Sequence, residues 1–175
     1  MNISKAIIAL TIALTSPAAA QTYDVGQSGN WDIKLTFGNE DSMICSMISA
    51  AKSGHVFNLY VNKRGSYSLV VKNYQTETTR SDPYFMDYYL EFSSPTMDNN
   101  WALEDVEVST EDNVRTMYLF IGGDPYQRDF VQDFIESDDM AIVDGEEVFA
   151  TWPLRGSAQA VELFNECRQQ IMGET

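Results

Sequence analysis

The feature that most constrains the fold is an alternation of apolar and polar residues that runs from Phe57 to Val71 with one interruption. In the first stretch, 57–62, apolar side chains occupy every second position. A period of two is typical of a β-strand with one buried face. The interruption at 63–65 reads Lys-Arg-Gly, and the alternation resumes at Tyr67. Because glycine adopts the positive φ that tight turns need, the pattern predicts a β-hairpin.

The same reasoning predicts strands elsewhere in the chain, and one of them changes face partway along. Trp101 and Leu103 occupy odd positions, whereas the next apolar residues, Val106 and Val108, occupy even ones. A strand can only change its buried face in this way through an extra residue, so we predict a β-bulge at Glu104-Asp105. The nine predicted strands are 31–37, 43–51, 55–62, 67–71, 84–92, 101–108, 114–121, 139–143 and 147–152.

Two other segments have the spacing of helices. Apolar residues four apart, such as Phe130 and Phe134, predict a short helix near 125–136. A single apolar stripe predicts a C-terminal helix near 157–172, with Ser157 as its N-cap. No strand–helix–strand alternation runs through the chain, which argues against a parallel sheet. We therefore expect a mainly β fold, a single antiparallel β-sandwich or flattened barrel of about nine strands with these two helices.

The N-terminus has the composition of an export signal. A single lysine precedes a short apolar run at 6–14, and small residues follow up to Ala20. The run is too short for a permanent anchor, because a helix needs roughly 20 apolar residues to cross a bilayer. We predict that residues 1–20 are a signal peptide cleaved between Ala20 and Gln21, and that residues 21–175 form one β-rich domain without a membrane span. The alternative is a buried N-terminal helix.

The chain has two cysteines, Cys45 and Cys167. In a protein exported to the periplasm or secreted, two thiols are expected to pair, so we predict a disulfide between them. The alternative is that both are reduced and buried. Two cysteines are too few for a four-thiolate zinc site, and the sequence predicts no metal and no cofactor.

Charge is distributed unevenly along the chain. The 26 acidic and 11 basic residues give a formal net charge of -15, which argues against binding to nucleic acid. The stretch 81–112 contains acids and no base, whereas most charges in 52–80 are basic. This pattern predicts either intramolecular compensation and solubility, or a surface that attracts a cationic protein or envelope component. The residues of this predicted partner surface are Asp98, Glu104, Asp105, Glu107, Glu111 and Asp112. We also expect four aromatic residues to be exposed and to suit an interface, namely Tyr84, Tyr89, Tyr126 and Trp152.

Few residues suggest catalysis. His55 is the single histidine, and the chain has no Gly-x-Ser-x-Gly motif, so we expect a surface or strand-end histidine rather than a catalytic one. Neighbouring carboxylates could act as acid and base without histidine. We predict no catalytic residues and an exported, non-enzymatic binding module. The alternatives are an inhibitor or immunity-type protein against a cationic secreted enzyme or toxin, and a carboxylate-dependent hydrolase.

The two ends of the chain carry a family resemblance. The closing pattern Gly-Ser-x-x-Ala-x-x-x-Phe-x-x-Cys, which spans 156–167, resembles that of small exported alphaproteobacterial proteins of unknown function. The early Trp31-Asp-Ile33 strand and the closing helix are loosely similar to the invasion-associated locus B family. That family usually has a cysteine where this chain has Leu35. The resemblance implies export and brings no catalytic residue.

Overall fold

The computed structural model describes residues 20–38, 42–73, 84–95, 97–112, 114–120, 126–144 and 147–173. These residues form ten strands and two helices, so the fold is mainly β, as predicted. Of the leader predicted at residues 1–20, residues 1–19 lie outside the described residues. The strands are β1 (Gln21–Ser28), β2 (Trp31–Phe37), β3 (Met43–Ala50), β4 (His55–Asn62), β5 (Tyr67–Asn73), β6 (Tyr84–Ser94), β7 (Met97–Glu111), β8 (Val114–Phe120), β9 (Asp139–Asp144) and β10 (Glu147–Pro153), and the helices are α1 (Tyr126–Glu136) and α2 (Ser157–Met172).

All paired strands run antiparallel, and hydrogen bonds join them in the order β1-β2-β3-β4-β5-β8-β7-β6-β9-β10. The far end of this order turns back over the beginning, since the Trp152 ring in β10 lies 5.8 Å from the Phe57 ring in β4. Among the described strands, β1 and β10 do not pair with each other. The arrangement is therefore sandwich-like with two open edges, rather than a closed barrel.

The nine strands predicted from the sequence are present, and a tenth precedes them. The extra strand, β1, has mostly exposed side chains and lacks the apolar alternation on which the other assignments depended. The predicted β-bulge is confirmed, because Met86 pairs with Val106 while Tyr88 pairs with Leu103. Two residues of β7 thus oppose one residue of β6, at Glu104-Asp105.

Helix α1 packs its apolar side into the sandwich. Phe130 and Phe134 are almost fully buried, as their spacing predicted. The Phe134 ring lies 4.9 Å from Trp31 and 5.9 Å from Phe57, and the Phe130 ring lies 5.7 Å from Phe92. These contacts join strands from both ends of the sheet order through one helix.

The N-cap of helix α2 is one residue earlier than predicted. Its N-cap is Gly156 in the left-handed region, with φ 88, and Ser157 is the buried first residue of the helix rather than the cap. The reason is a close approach between two turns, because a Cβ on Gly156 would lie 3.0 Å from the backbone nitrogen of Gly29. The apolar stripe of α2 is buried as predicted.

Candidate functional site

The predicted disulfide is confirmed. Cys45 of β3 and Cys167 of α2 are joined with an Sγ–Sγ distance of 1.95 Å and a Cα–Cα distance of 6.0 Å, and both are fully buried. The bond attaches the last helix to the sheet across 122 positions. Disulfides form and persist in oxidising compartments, so this bond indicates such an environment.

The residues predicted for the acidic partner surface lie together on one strand. Asp98, Glu104, Asp105, Glu107 and Glu111 all belong to β7, and Asp112 directly follows it with φ 50. The last three of these residues are exposed; the side chains of the first three lie outside what the structure describes. Because β7 pairs with β6, the described part of the base-free stretch lies on two adjacent antiparallel strands.

An exposed tyrosine lies beside these carboxylates. Tyr118 of β8 is directly opposite Glu107 and is 45% exposed. Tyr89 of β6 is 42% exposed, as predicted, but it pairs with Ala102 of β7 and Val143 of β9, so it lies five positions along β7 from Glu107 and outside this group. We call the group of Glu107, Glu111, Asp112 and Tyr118 the acidic surface.

One predicted exposed aromatic residue is not part of any surface. Trp152 is completely buried, since it occupies an inward position of β10 and packs against Phe57. The prediction for Trp152 was wrong because the tryptophan alternates with exposed neighbours, Thr151 and Pro153, and its own side chain takes the inward face. The side chains of Tyr84 and Tyr126 lie outside the described ones.

The basic stretch does not neutralise the acidic surface by direct contact. Strand β8 separates β5 from β7, so the two stretches are not neighbours in the sheet. Lys52, Lys63, Arg64 and Lys72 form no ion pair with a carboxylate within the described part of the chain.

His55 begins β4, at a strand end as predicted, but it is buried rather than on the surface. Its Nδ1 lies 3.0 Å from the Ser53 hydroxyl. Burial, followed by the positive charge of Arg115, lowers the pKa of His55 from 6.5, so the neutral ring is favoured. Among the described side chains no carboxylate contacts His55, and the serine–histidine pair thus lacks the third group that orients a catalytic histidine.

Arg115 forms a polar cluster that the sequence did not reveal. Its Nη2 donates a hydrogen bond of 2.9 Å to the Tyr88 hydroxyl, and its guanidinium lies 5.6 Å from the centre of the Phe149 ring. Tyr88 and Phe149 also make an edge-on contact. The cluster joins β8, β6 and β10 across the interior, and nothing local in the sequence around Arg115 distinguishes it from a surface arginine.

Two adjoining depressions lie beside β10. One, of about 490 Å³, separates β10 from the β3–β4 turn and is lined by residues that include Lys52, Ser53 and Phe149. The other, of about 560 Å³, lies over β6, β9 and β10 and includes Glu91 and Asp139. Both are open surface clefts, and neither His55 nor Arg115 lines them.

Two exposed carboxylates of β7, Glu107 and Glu111, are too far apart to act as a glycosidase-type pair. Glu107 and Glu111 are four residues apart on one strand, a separation of about 13 Å. Glycoside hydrolases hold their two carboxyl groups about 5–10 Å apart. Among the described residues, no group of three or more His, Cys, Asp and Glu could hold a metal ion.

The fold and the surface together define a class, an acidic antiparallel β-sandwich with two helices and a disulfide that braces the last of them. No family model matches the chain, and neither a curated protein nor a solved structure matches it. Neither of the described helices is long and apolar enough to cross a membrane.

Proposed function

We propose that this protein is an exported, non-enzymatic binding module whose acidic surface binds a cationic protein or envelope component. The observation that carries the proposal is the grouping of exposed Glu107, Glu111 and Asp112, at the end of β7, with the exposed ring of Tyr118 on the neighbouring strand β8. The ring adds apolar contact area beside the carboxylates, which a bound partner can bury.

The two kinds of side chain contribute differently to binding. Exposed carboxylates create a field that accelerates association with a cationic partner and weakens as salt is added. Tyrosines supply apolar area together with a hydroxyl, and they are enriched where protein interfaces bind tightly. Glu107 of β7 and Tyr118 of β8 are direct cross-strand neighbours, so one partner residue can contact a carboxylate and an aromatic ring together.

Export is part of the same proposal. The disulfide supports an oxidising compartment, and the leader predicted at residues 1–20 supplies the route. Periplasmic or secreted location, cleavage between Ala20 and Gln21, and the likeness to small exported alphaproteobacterial proteins all belong to this proposal. Mass spectrometry of the native protein tests it, because an intact leader would contradict export by this signal.

The binding test is capture of partners from an envelope extract at low and high salt. The test variant Glu107→Gln/Glu111→Gln/Asp112→Asn removes three charges from the acidic surface while keeping side-chain shape. Asparagine tolerates the positive φ at position 112. We expect partner recovery to fall several-fold in this variant and, for the unaltered protein, as ionic strength rises.

A matched control removes three charges elsewhere. Glu147, Glu162 and Glu166 are exposed and lie on β10 and α2, away from the acidic surface. Changing all three to glutamine should leave recovery close to that of the unaltered protein. Equal loss in both variants would show that net charge alone matters, and recovery indifferent to salt would contradict a steered cationic partner. If the captured partner is an enzyme or toxin that loses activity when bound, the narrower inhibitor or immunity-type function follows.

A further inference from the structure

Strand β1 is an open edge of the sheet. It is the first strand in the hydrogen-bonded order, and among the strands that the structure describes it pairs with β2 alone. Its first four residues, 21–24, are exposed. An edge of this kind presents unpaired N–H and C=O groups that can accept another strand.

The register shows which main-chain groups of β1 face outward. A two-residue turn joins β1 to β2, so Ser28 and Trp31 form the first hydrogen-bonded pair. Along β2, which has no bulge, hydrogen-bonded and non-hydrogen-bonded pairs with β1 then alternate. Lys34 and Thr36 of β2 therefore belong to non-hydrogen-bonded pairs. Their main-chain groups face β3.

The partners of these two residues in β1 therefore direct their own main-chain groups away from the sheet. Those partners are Asp24, opposite Lys34, and Thr22, opposite Thr36. The side chains of non-hydrogen-bonded pairs approach closely, and the hydroxyls of Thr22 and Thr36 lie 3.2 Å apart, in agreement with this assignment. Thr22 and Asp24 thus offer hydrogen-bonding groups on either side of Tyr23.

An exposed aromatic pair lies at the same edge. Tyr23 is 50% exposed and Phe37, at the end of β2, is 38% exposed. Their rings contact each other edge-on with centres 5.5 Å apart. The open edge and the exposed apolar area coincide, which is the combination that marks an interaction site.

The edge also carries no uncompensated acid, unlike most of this chain, and cleavage after Ala20 adds only the α-amino group of Gln21 to it. Asp24 is the single charged residue of β1, and its carboxylate lies 3.6 Å from the Lys34 ammonium group. A cationic partner would find no free acid here. A second copy of the chain, which is repelled elsewhere by its negative charge, can approach at this edge without placing like charges opposite each other.

We propose that β1 pairs antiparallel with β1 of a second copy, about a two-fold axis at Tyr23. Thr22 of each copy then lies opposite Asp24 of the other, and each such pair exchanges two main-chain hydrogen bonds. Tyr23 faces Tyr23 of the second copy in a non-hydrogen-bonded pair, where side chains are closest. Two-fold pairing of one patch with itself is the commonest way in which soluble proteins dimerise.

Cross-linking tests the register. In Tyr23→Cys the two Cα atoms should be about 4.5 Å apart, within the range of a disulfide, whereas in Thr22→Cys they should be more than about 7 Å apart. Because the two native cysteines already form a disulfide, the introduced cysteine supplies the free thiol for cross-linking. The full chain, produced with its leader and purified after export, should form a disulfide-linked dimer on oxidation with Tyr23→Cys and several-fold less with Thr22→Cys. Equal or absent cross-linking would overturn the register.

Sedimentation equilibrium of variants without added cysteine tests the dimer itself. Thr22→Pro removes an outward N–H that β2 does not use, so it should raise the dimer dissociation constant by about tenfold or more without unfolding the protein. The control Thr151→Pro removes an outward N–H at the other edge, in β10, and should leave the dissociation constant unchanged. A protein that is monomeric at all concentrations, or a dimer lost in the control variant only, would overturn the proposal. Circular dichroism of both variants shows that each remains folded.

Discussion

The two halves of this molecule are held together by different chemistry. In the first half, β1–β5 with α2, a covalent bond between Cys45 and Cys167 attaches the helix to the sheet. In the second half, β6–β10 with α1, noncovalent contacts perform that role, namely the packing of Phe130 on Phe92 and part-buried hydrogen bonds to Asp133. The carboxylate of Asp133 on α1 accepts hydrogen bonds from Asn99 at 2.6 Å and from the Trp101 indole at 2.7 Å.

Because of this difference, we expect reduction to destabilise mainly the first half and the removal of single polar side chains to destabilise mainly the second half. A buried disulfide is sensitive to reduction and insensitive to ordinary pH. Buried hydrogen bonds to a carboxylate, by contrast, are strong while both partners are present and costly when one is removed, because the other is left without a partner. The first half should therefore respond to redox conditions, and the second half to the loss of single polar side chains.

The largest expected effect is loss of the disulfide. The double variant Cys45→Ala/Cys167→Ala should lower the free energy of unfolding by about 4–5 kcal/mol, the value that chain entropy gives for a closed loop of this order. Denaturant unfolding at equilibrium measures it. Reduction of the unaltered protein should produce a loss of similar size.

The location of this effect separates the halves. Hydrogen exchange should accelerate in α2 and β3, where Cys167 and Cys45 lie, more than in the β6–β7 hairpin. Uniform acceleration throughout the chain would show that the two halves unfold as one unit and would remove the contrast between them.

The second prediction concerns α1. Asp133→Ala leaves the Asn99 amide and the Trp101 indole without their acceptor. Because Asn99 is exposed and can bond to water instead, the change should cost about 1–2 kcal/mol of unfolding free energy. Tryptophan fluorescence should also change, since Trp101 loses its hydrogen bond. Chemical denaturation followed by fluorescence measures both effects.

A matched variant lies one turn away on the same helix. Asp129 is exposed, so Asp129→Ala removes the same charge without uncovering a buried donor, and we expect it to cost less than about 0.5 kcal/mol. If the two variants were equally destabilised, helix propensity or net charge would explain the loss, and the buried contacts of Asp133 would not.

Sequence reasoning found the features that depend on neighbours in the chain. Alternation within single segments predicted nine strands and the bulge at Glu104-Asp105, since inward and outward positions are set locally. The grouping of acids on neighbouring strands could also be predicted, because a contiguous base-free stretch of sequence supplies β6 and β7. The disulfide followed from arithmetic, as two cysteines allow one pairing.

Features that depend on distant partners could not be found in this way. Strand β1 is polar, and only its pairing with β2 makes it a strand. Asp133 is one of many acids until Asn99 and Trp101 approach it from more than 30 positions away. The burial of His55 likewise depends on the fold around it, and Arg115 comes from a strand 60 positions later.

The smallest expected effect is the titration of His55. Burial and then Arg115 lower its pKa below the 6.5 of the unfolded chain, so the unfolded state binds a proton more readily. Stability should therefore be fully present above about pH 6.5 and fall as the pH decreases toward the lowered pKa of the folded state. Because the chain has one histidine, its ring signal in proton NMR reports this pKa without overlap.

Arg115→Gln separates the two causes of that shift. The glutamine amide can still donate a hydrogen bond to Tyr88, but the positive charge is gone, so the pKa of His55 should rise part of the way toward 6.5 and the loss of stability in acid should become smaller. Lys72→Gln, which removes an equal charge from β5, should leave the pKa of His55 where it is. An unchanged pKa in Arg115→Gln would mean that burial alone keeps the histidine neutral, and the interior cluster would then have no electrostatic link to β4.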